Sequence, residues 1–267
     1  MADSNTADIL YLSGKETVMY KILAIGAHDD ECEYDVGGVS TLLADMGNEV
    51  LFVNPACIIH NKKVDKTTAE KWKECAFEAS KPLGAKKIVI GPRDTQIFEP
   101  NYEIITELEK IILDFKPNIV FIHWPKDNHA EHRMVAEASY KALCIAYVHG
   151  AFVHEIYAFE AGISQCTDYF APHFGVDITS VMDRVNEGLG KFDTDTAKGE
   201  HLIKEKKMQA LYRGMSLPGE PEYAEVYRIV KFPSGGDDFI LRQLLGDKFK
   251  WYGTGMYPAM GSDYFSF

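Results

Sequence analysis

Short apolar runs alternate with longer segments of helical periodicity through the first 160 residues of the chain. The runs are nearly continuous in hydrophobicity and rich in β-branched and aromatic residues, which is typical of strands covered on both faces. They predict strands at 21–27, 49–54, 87–90, 118–123 and 154–159. The intervening segments predict helices at about 36–46, 67–82, 102–115 and 131–146.

This alternation predicts an α/β fold: a doubly wound, mostly parallel sheet with helices on both faces. The C-terminal part is less regular, because a glycine- and aspartate-containing insert at 184–200 interrupts its helical pattern. The segment 222–232 predicts a further strand, and the tail after Trp251 is rich in aromatic residues and glycine. No repeat or linker divides the chain, so residues 1–267 are predicted to form one domain.

The composition argues against several classes of function. A net charge of -12 offers no basic face for nucleic acid. No apolar run approaches the ~20 residues of a membrane span, and the first 17 residues lack the pattern of a secretory signal. Five cysteines without paired spacing favour reduced thiols and predict a cytoplasmic location. The expected partner is a small molecule, and self-assembly into a homo-oligomer is compatible with the sequence.

Two polar clusters follow predicted strands. GAHDDECEYDVGG (26–38) contains four carboxylates and a histidine within six consecutive positions, and HWPKDNHAEHR (123–133) begins where the strand at 118–123 ends. Ligands of an open parallel sheet bind beyond the carboxyl ends of its strands. Both clusters are therefore expected to face one crevice, where a cation compensates the repulsion between the carboxylates.

The residue types indicate a metal site. His28 and Glu31 have the spacing that places two side chains on one face of a helical turn, and His132 can supply a third ligand. Two imidazoles and a carboxylate form a common catalytic zinc shell, in which bound water has a pKa of about 7. A carboxylate outside the shell, such as Asp30, can accept the proton of that water. Spacing alone leaves the choice open among four carboxylates: Asp29, Asp30, Glu31 and Glu33.

The two clusters together resemble the signatures of the PIG-L/LmbE-like zinc deacetylases. AHDDECE (27–33) is similar to Ala-His-Pro-Asp-Asp-x-Glu, and HAEH (129–132) is similar to His-Pro-Asp-His. Weaker similarities, such as KPLGA (81–85) and AEVYR (224–228), extend the likeness over a core from about residue 20 to 230. The resemblance implies a Rossmann-like fold and removal of the acetyl group from N-acetylglucosamine-type amino sugars or their glycosides.

The same resemblance implies roles for individual residues. The zinc ligands are His28, Glu31 and His132, with Fe2+ or another divalent ion as the alternative metal. Asp30 is the general base, and His129 stabilises the oxyanion and protonates the departing amine. Glu131 orients His129.

The sequence departs from the family pattern at three places. Asp29 stands where the family has proline, Glu31 where it has aspartate, and Ala130-Glu131 where it has Pro-Asp. The charge at the ligand and orienting positions is kept, so metal binding is still expected.

Arg93 and Asp94 follow the third predicted strand and are candidate sugar contacts, with a surface ion pair as the other interpretation.

Two other functions compete with hydrolysis. Non-haem Fe(II) oxygenases also use two histidines and a carboxylate, but they are expected on a β-rich barrel. A non-catalytic Rossmann-like binding module is expected to carry Gly-x-Gly-x-x-Gly after its first strand, whereas this chain has GAHDDE (26–31) there.

Overall fold

The structure is a computed structural model, which describes residues 18–55, 66–90, 102–162, 170–192, 198–231 and 239–252. The described strands are β1 (Lys21–Ile25), β2 (Glu49–Asn54), β3 (Ala85–Val89), β4 (Ile119–His123), β5 (Glu155–Phe159), β6 (Phe174–Asp177), β7 (Ala224–Lys231) and β8 (Phe249–Trp251). The described α-helices are α1 (Glu31–Asp35), α2 (Gly37–Asp45), α3 (Lys66–Ser80), α4 (Tyr102–Phe115), α5 (Ala130–Val148), α6 (Met182–Leu189), α7 (Lys198–Met215) and α8 (Ile240–Leu245).

All eight described strands form one sheet, in the order β3-β2-β1-β4-β5-β7-β6-β8. The pairs among β1 to β5 are parallel, as predicted from the strand–helix alternation. The remaining pairs, β5 with β7, β7 with β6 and β6 with β8, are antiparallel. The predicted α/β fold is confirmed, with an antiparallel extension at one side of the sheet.

The sheet is covered on both faces, which explains the continuous hydrophobicity of its central strands. Successive residues of β1 alternate between two cores: Ile22 and Ala24 pack on one face, and Leu23 and Ile25 on the other. The first core includes side chains of α2, α3 and α6, and the second includes side chains of α4 and α5. A strand covered in this way exposes no polar face, so its sequence shows no alternation.

Gly37 and Gly38, the first two residues of α2, allow this helix to pack closely against its neighbours. A Cβ atom at Gly38 would lie 2.5 Å from a side-chain carbon of Ile178, so only glycine fits there without movement. The backbone N–H groups of Gly38 and Val39 donate to the Glu225 carboxylate at 2.8 Å each. A carboxylate at a helix N-terminus satisfies free N–H groups and the helix dipole. This contact ties the first motif to β7.

Helix α5 illustrates how closely sequence and structure agree, since it spans Ala130–Val148 where 131–146 was predicted. Among the helices of the described residues, none is both long enough and apolar enough to cross a bilayer. The tail beyond Tyr252 lies outside the described residues, as does the loop that carries Arg93 and Asp94.

Candidate metal centre

The two polar clusters follow neighbouring parallel strands and lie at the same edge of the sheet. They are called the first motif (26–38) and the second motif (123–133) below. β1 pairs with β4, and Ile25 lies opposite Ile122 near their carboxyl ends. The first motif follows β1 through a short loop into α1, and the second follows β4 and leads into α5. The expectation that both motifs face one crevice is confirmed.

Three side chains meet at one oxygen atom. Glu31 Oε1 lies 2.7 Å from His28 Nδ1 and 3.2 Å from His132 Nε2. These are the three residues that the sequence analysis assigned as metal ligands. The structure therefore brings two imidazole nitrogens and one carboxylate oxygen within a few ångströms of each other. This donor set suits a zinc ion.

Each of the two histidines is held by a second carboxylate at its other ring nitrogen. His28 Nε2 lies 2.9 Å from Glu131 Oε2, and His132 Nδ1 lies 3.0 Å from Asp127 Oδ2. The Glu131 and Asp127 side chains are almost fully buried. Metal-binding histidines commonly donate their outer N–H to a carboxylate, which fixes the ring and makes the inner nitrogen a stronger ligand.

The carboxylates around these rings favour protonated imidazoles. Burial lowers the pKa of His28, but the charge of Glu31 and the hydrogen bond to Glu131 outweigh it and raise the pKa well above 6.5. Burial also opposes protonation of His132, yet hydrogen bonds to Asp127 and Glu31 raise its pKa to about 9. A divalent cation would replace the charge of two such protons, so the electrostatics of the donor set fit a metal ion.

His129 lies beside this group. Its ring stacks on His132 with centroids 4.5 Å apart, and the ligand atoms of His28, His129 and His132 lie within 4.8 Å of one another. Burial and the neighbouring His132 and His28 lower its pKa, which disfavours the charged imidazole that protonation of the departing amine requires. Its Nδ1 has no hydrogen-bond partner among the described residues. The resemblance implies that Glu131 orients His129, and the described contact of the Glu131 carboxylate is with His28 Nε2 at 2.9 Å.

His123 supports the site, although the sequence analysis gave it no role. It is fully buried and stacks on His132 with centroids 4.5 Å apart. Its Nε2 accepts a hydrogen bond from the backbone N–H of Ala27 at 2.8 Å, so that lone pair is occupied. Asn54, at the end of β2, donates to the carbonyl oxygens of Gly26 and His28. Neighbouring strands thus fix the loop that presents His28.

Lysines balance the remaining carboxylates of the first motif. Lys87 on β3 lies 2.7 and 2.8 Å from the two Glu33 oxygens, and neither side chain is exposed. Burial raises the pKa of Glu33 to about 7 in spite of this partner. Lys198, the first residue of α7, places Nζ 2.9 Å from Asp30 Oδ2. Both lysines are distant in sequence from the motif, so the motif itself does not reveal them.

Comparison with known families supports this interpretation of the two motifs. Residues 23–143 match the family described as PIG-L, GlcNAc-PI de-N-acetylase. This segment is therefore similar to the PIG-L family. The PIG-L region contains both motifs and confirms the resemblance found in the sequence. It ends within α5, so the inferred similarity from there to about residue 230 lies beyond it.

Solved structures share the fold of this protein. GalB, the 4-carboxy-2-hydroxymuconate hydratase of Pseudomonas putida, is 22% identical with a TM-score of 0.67, over 83% of this chain and 100% of that chain. The N,N'-diacetylchitobiose deacetylase of Pyrococcus horikoshii is 21% identical with a TM-score of 0.61, over 79% and 84%. A zinc-inhibited form of teicoplanin deacetylase is 12% identical with a TM-score of 0.58, over 78% and 96%.

Proposed function

We propose that this protein is a metal-dependent hydrolase that removes the N-acetyl group from an N-acetylglucosamine-type amino sugar or its glycoside. The observation that carries the proposal is the paired arrangement of His28 and His132. Each ring has a buried carboxylate at its outer nitrogen and the shared oxygen of Glu31 at its inner nitrogen. The description of the family, GlcNAc-PI de-N-acetylase, supports the substrate class.

In this proposal His28, Glu31 and His132 hold zinc or another divalent ion such as Fe2+. Zinc supplies a Lewis acid and lowers the pKa of water from 15.7 to about 7. The protein's own groups manage the proton and the developing charge. Asp30 adjoins Glu31 without taking part in its contacts with the histidines, so its carboxylate is available to accept a proton from the attacking water.

His129 completes the proposed mechanism as a neutral imidazole, because its pKa is lowered. Its ring N–H donates a hydrogen bond to the oxyanion that forms as water adds to the amide carbonyl. The carbon–nitrogen bond then breaks, and the proton held by Asp30 passes to the departing amine. The products are acetate and the free amino sugar. Arg93 and Asp94 remain proposed contacts for the sugar hydroxyls.

An acetate-release assay on metal-depleted and metal-reloaded protein tests the proposal. The substrates are N-acetylglucosamine, its glycosides, N-acetylgalactosamine and N,N'-diacetylchitobiose. Asp30→Asn is expected to keep its metal and lose about 10²–10⁴-fold in kcat, the usual contribution of a general base. His28→Ala is expected to lose the metal itself. His201→Ala is the matched control, because His201 lies on the exposed face of α7.

Two results would contradict this function. One is acetate release that is unchanged by metal removal. The other is turnover of 4-carboxy-2-hydroxymuconate in place of the acetylated sugars, which would indicate the water-adding chemistry named for GalB. Elemental analysis with absorption spectra under oxygen separates a zinc hydrolase from an iron oxygenase.

A further inference from the structure

Lys198, the first residue of α7, contacts two carboxylates of the first motif. Its Nζ lies 2.9 Å from Asp30 Oδ2 and 3.9 Å from Asp29 Oδ1. Among the described residues, it is the partner of the Asp30 carboxylate, which makes no capping bond to α1. The residue proposed as general base is therefore held by a lysine about 170 positions away, in the insert at 184–200.

The backbone around Lys198 is fixed by close packing against α6. The N–H of Gly199 donates to the carbonyl of Phe192 at 2.9 Å, and a Cβ atom at Gly199 would lie 2.8 Å from the carbonyl of Leu189. Lys198 Nζ also lies 5.5 Å from the centre of the buried Phe192 ring. A cation over an aromatic face is attracted to it. The start of α7 thus holds the ammonium at a defined place.

The ammonium carries its charge throughout the neutral pH range. Burial lowers the pKa of Lys198, but the charges of Asp30 and Asp29 outweigh it and raise the pKa above its usual value. A charged donor at 2.9 Å occupies one oxygen of Asp30 and restricts rotation of the carboxylate. The other oxygen then has a defined direction in which to accept a proton.

We propose that Lys198 is the positioning residue for Asp30: it binds Oδ2 and thereby aims Oδ1 at the attacking water. This inference rests on the proposed function, because it requires Asp30 to act as the base. It also gives the insert at 184–200 a part in the reaction itself. The alternative is a purely structural ion pair that anchors α7. Such a pair would affect stability without affecting turnover.

Kinetics of three lysine variants distinguish these roles. Lys198→Met is expected to lower kcat about 10- to 100-fold, because misplacement of a reacting group costs about that much. KM should change less than about twofold, and metal content should not change. Lys198→Arg should retain most of kcat, since guanidinium keeps the charge and the hydrogen bond. Lys207→Met, at an exposed position of α7, is the control. A Lys198→Met enzyme with the parent kcat would overturn the proposal.

A second measurement does not depend on activity. Lys198→Met, Asp30→Asn and the double variant form a cycle for urea unfolding of the metal-free protein. If the pair exists, the two effects on the unfolding equilibrium constant should be non-additive by about two- to fivefold. Additive effects would overturn the contact, whatever the enzyme does. Absence of acetate release by the parent protein would instead count against the proposed function, and the cycle would still decide whether Lys198 binds Asp30.

Discussion

The buried ion pair between Lys87 and Glu33 is expected to dominate the stability of the site region. Lys87 Nζ donates to both Glu33 oxygens and to the carbonyl of Asp29, so all three of its donors are used. Both side chains are fully inaccessible to water. Lys87→Met removes the charge and the donors but keeps much of the side-chain volume. Glu33 then remains in the interior without a cation.

The expected loss of stability depends on the protonation state of Glu33 in the Lys87→Met variant. At pH 7 it can stay ionised in a dry environment, and breaking a buried pair in this way costs about 3–5 kcal/mol. It can instead take up a proton, which it already does in part in the parent protein, because its pKa there is about 7. The cost of breaking a buried pair therefore sets the expected loss, about 3–5 kcal/mol in the free energy of unfolding.

Thermal and urea unfolding of Lys87→Met measure this loss. For a protein of this size each kcal/mol shifts Tm by about 2–4 °C, so a fall of about 6–20 °C is expected. Lys86→Met is the matched control, because Lys86 pairs with Glu49 at the surface and its side chain is 74% exposed. That control should cost less than about 1 kcal/mol.

A compensating variant tests whether the unpaired Glu33 carboxylate causes the loss of stability. Lys87→Met with Glu33→Leu replaces the pair by apolar side chains, and such replacements are often neutral or stabilising. The double variant should therefore regain most of the stability lost by Lys87→Met. If Lys87→Met melts within about 2 °C of the parent, or if the double variant regains nothing, the reasoning about a buried pair is wrong.

Three further predictions concern other parts of the chain. Gly38→Ala should cost about 1–3 kcal/mol through its clash with Ile178, and Ile178→Ala should relieve part of it, as urea unfolding would show. Burial and Arg228 lower the pKa of His173 to about 4, and its Nδ1 accepts the N–H of Ile229 at 3.1 Å. Because the unfolded chain takes up that proton first, stability should fall as pH drops from about 6.5 to 4, and His173→Asn should flatten the dependence of Tm on pH. Asp127→Ala should weaken metal binding about 10- to 100-fold by calorimetry; unchanged affinity would contradict its role.

The central sheet and the donor set could be predicted because their signals are local. Strands buried on both faces are continuous apolar runs, and His28 and Glu31 sit directly beyond the first of them. His132 follows β4 in the same way, and parallel strands bring their carboxyl ends to one edge. The strands at 49–54 and 154–159 were placed within one residue of β2 and β5.

The supporting contacts could not be predicted, because they depend on register and on distant packing. Lys87 lies in a predicted strand, but its burial follows from the pairing of β3 with β2 and from Glu33, 54 residues away. Lys198 belongs to an insert with no periodic signal. The contact of Glu131 with His28 joins residues 103 positions apart, so only the folded chain shows it. The antiparallel strand β8 spans only Phe249–Trp251, too short for a hydrophobic period to be recognised.

The adjacency of β1 and β4 has a consequence for assembly of the chain. Residues that lie opposite each other in this pair, such as Ile25 and Ile122, are 97 positions apart in sequence. β2 and β3 lie on the other side of β1, so the N-terminal three strands can form a sheet before β4 exists. A ribosome-bound chain that ends before β4 contains two of the three proposed ligands, His28 and Glu31, and lacks His132. Metal binding can therefore report when the N-terminal three strands pair with β4. Two separately expressed fragments, divided before α4, would have to associate before they could bind the ion.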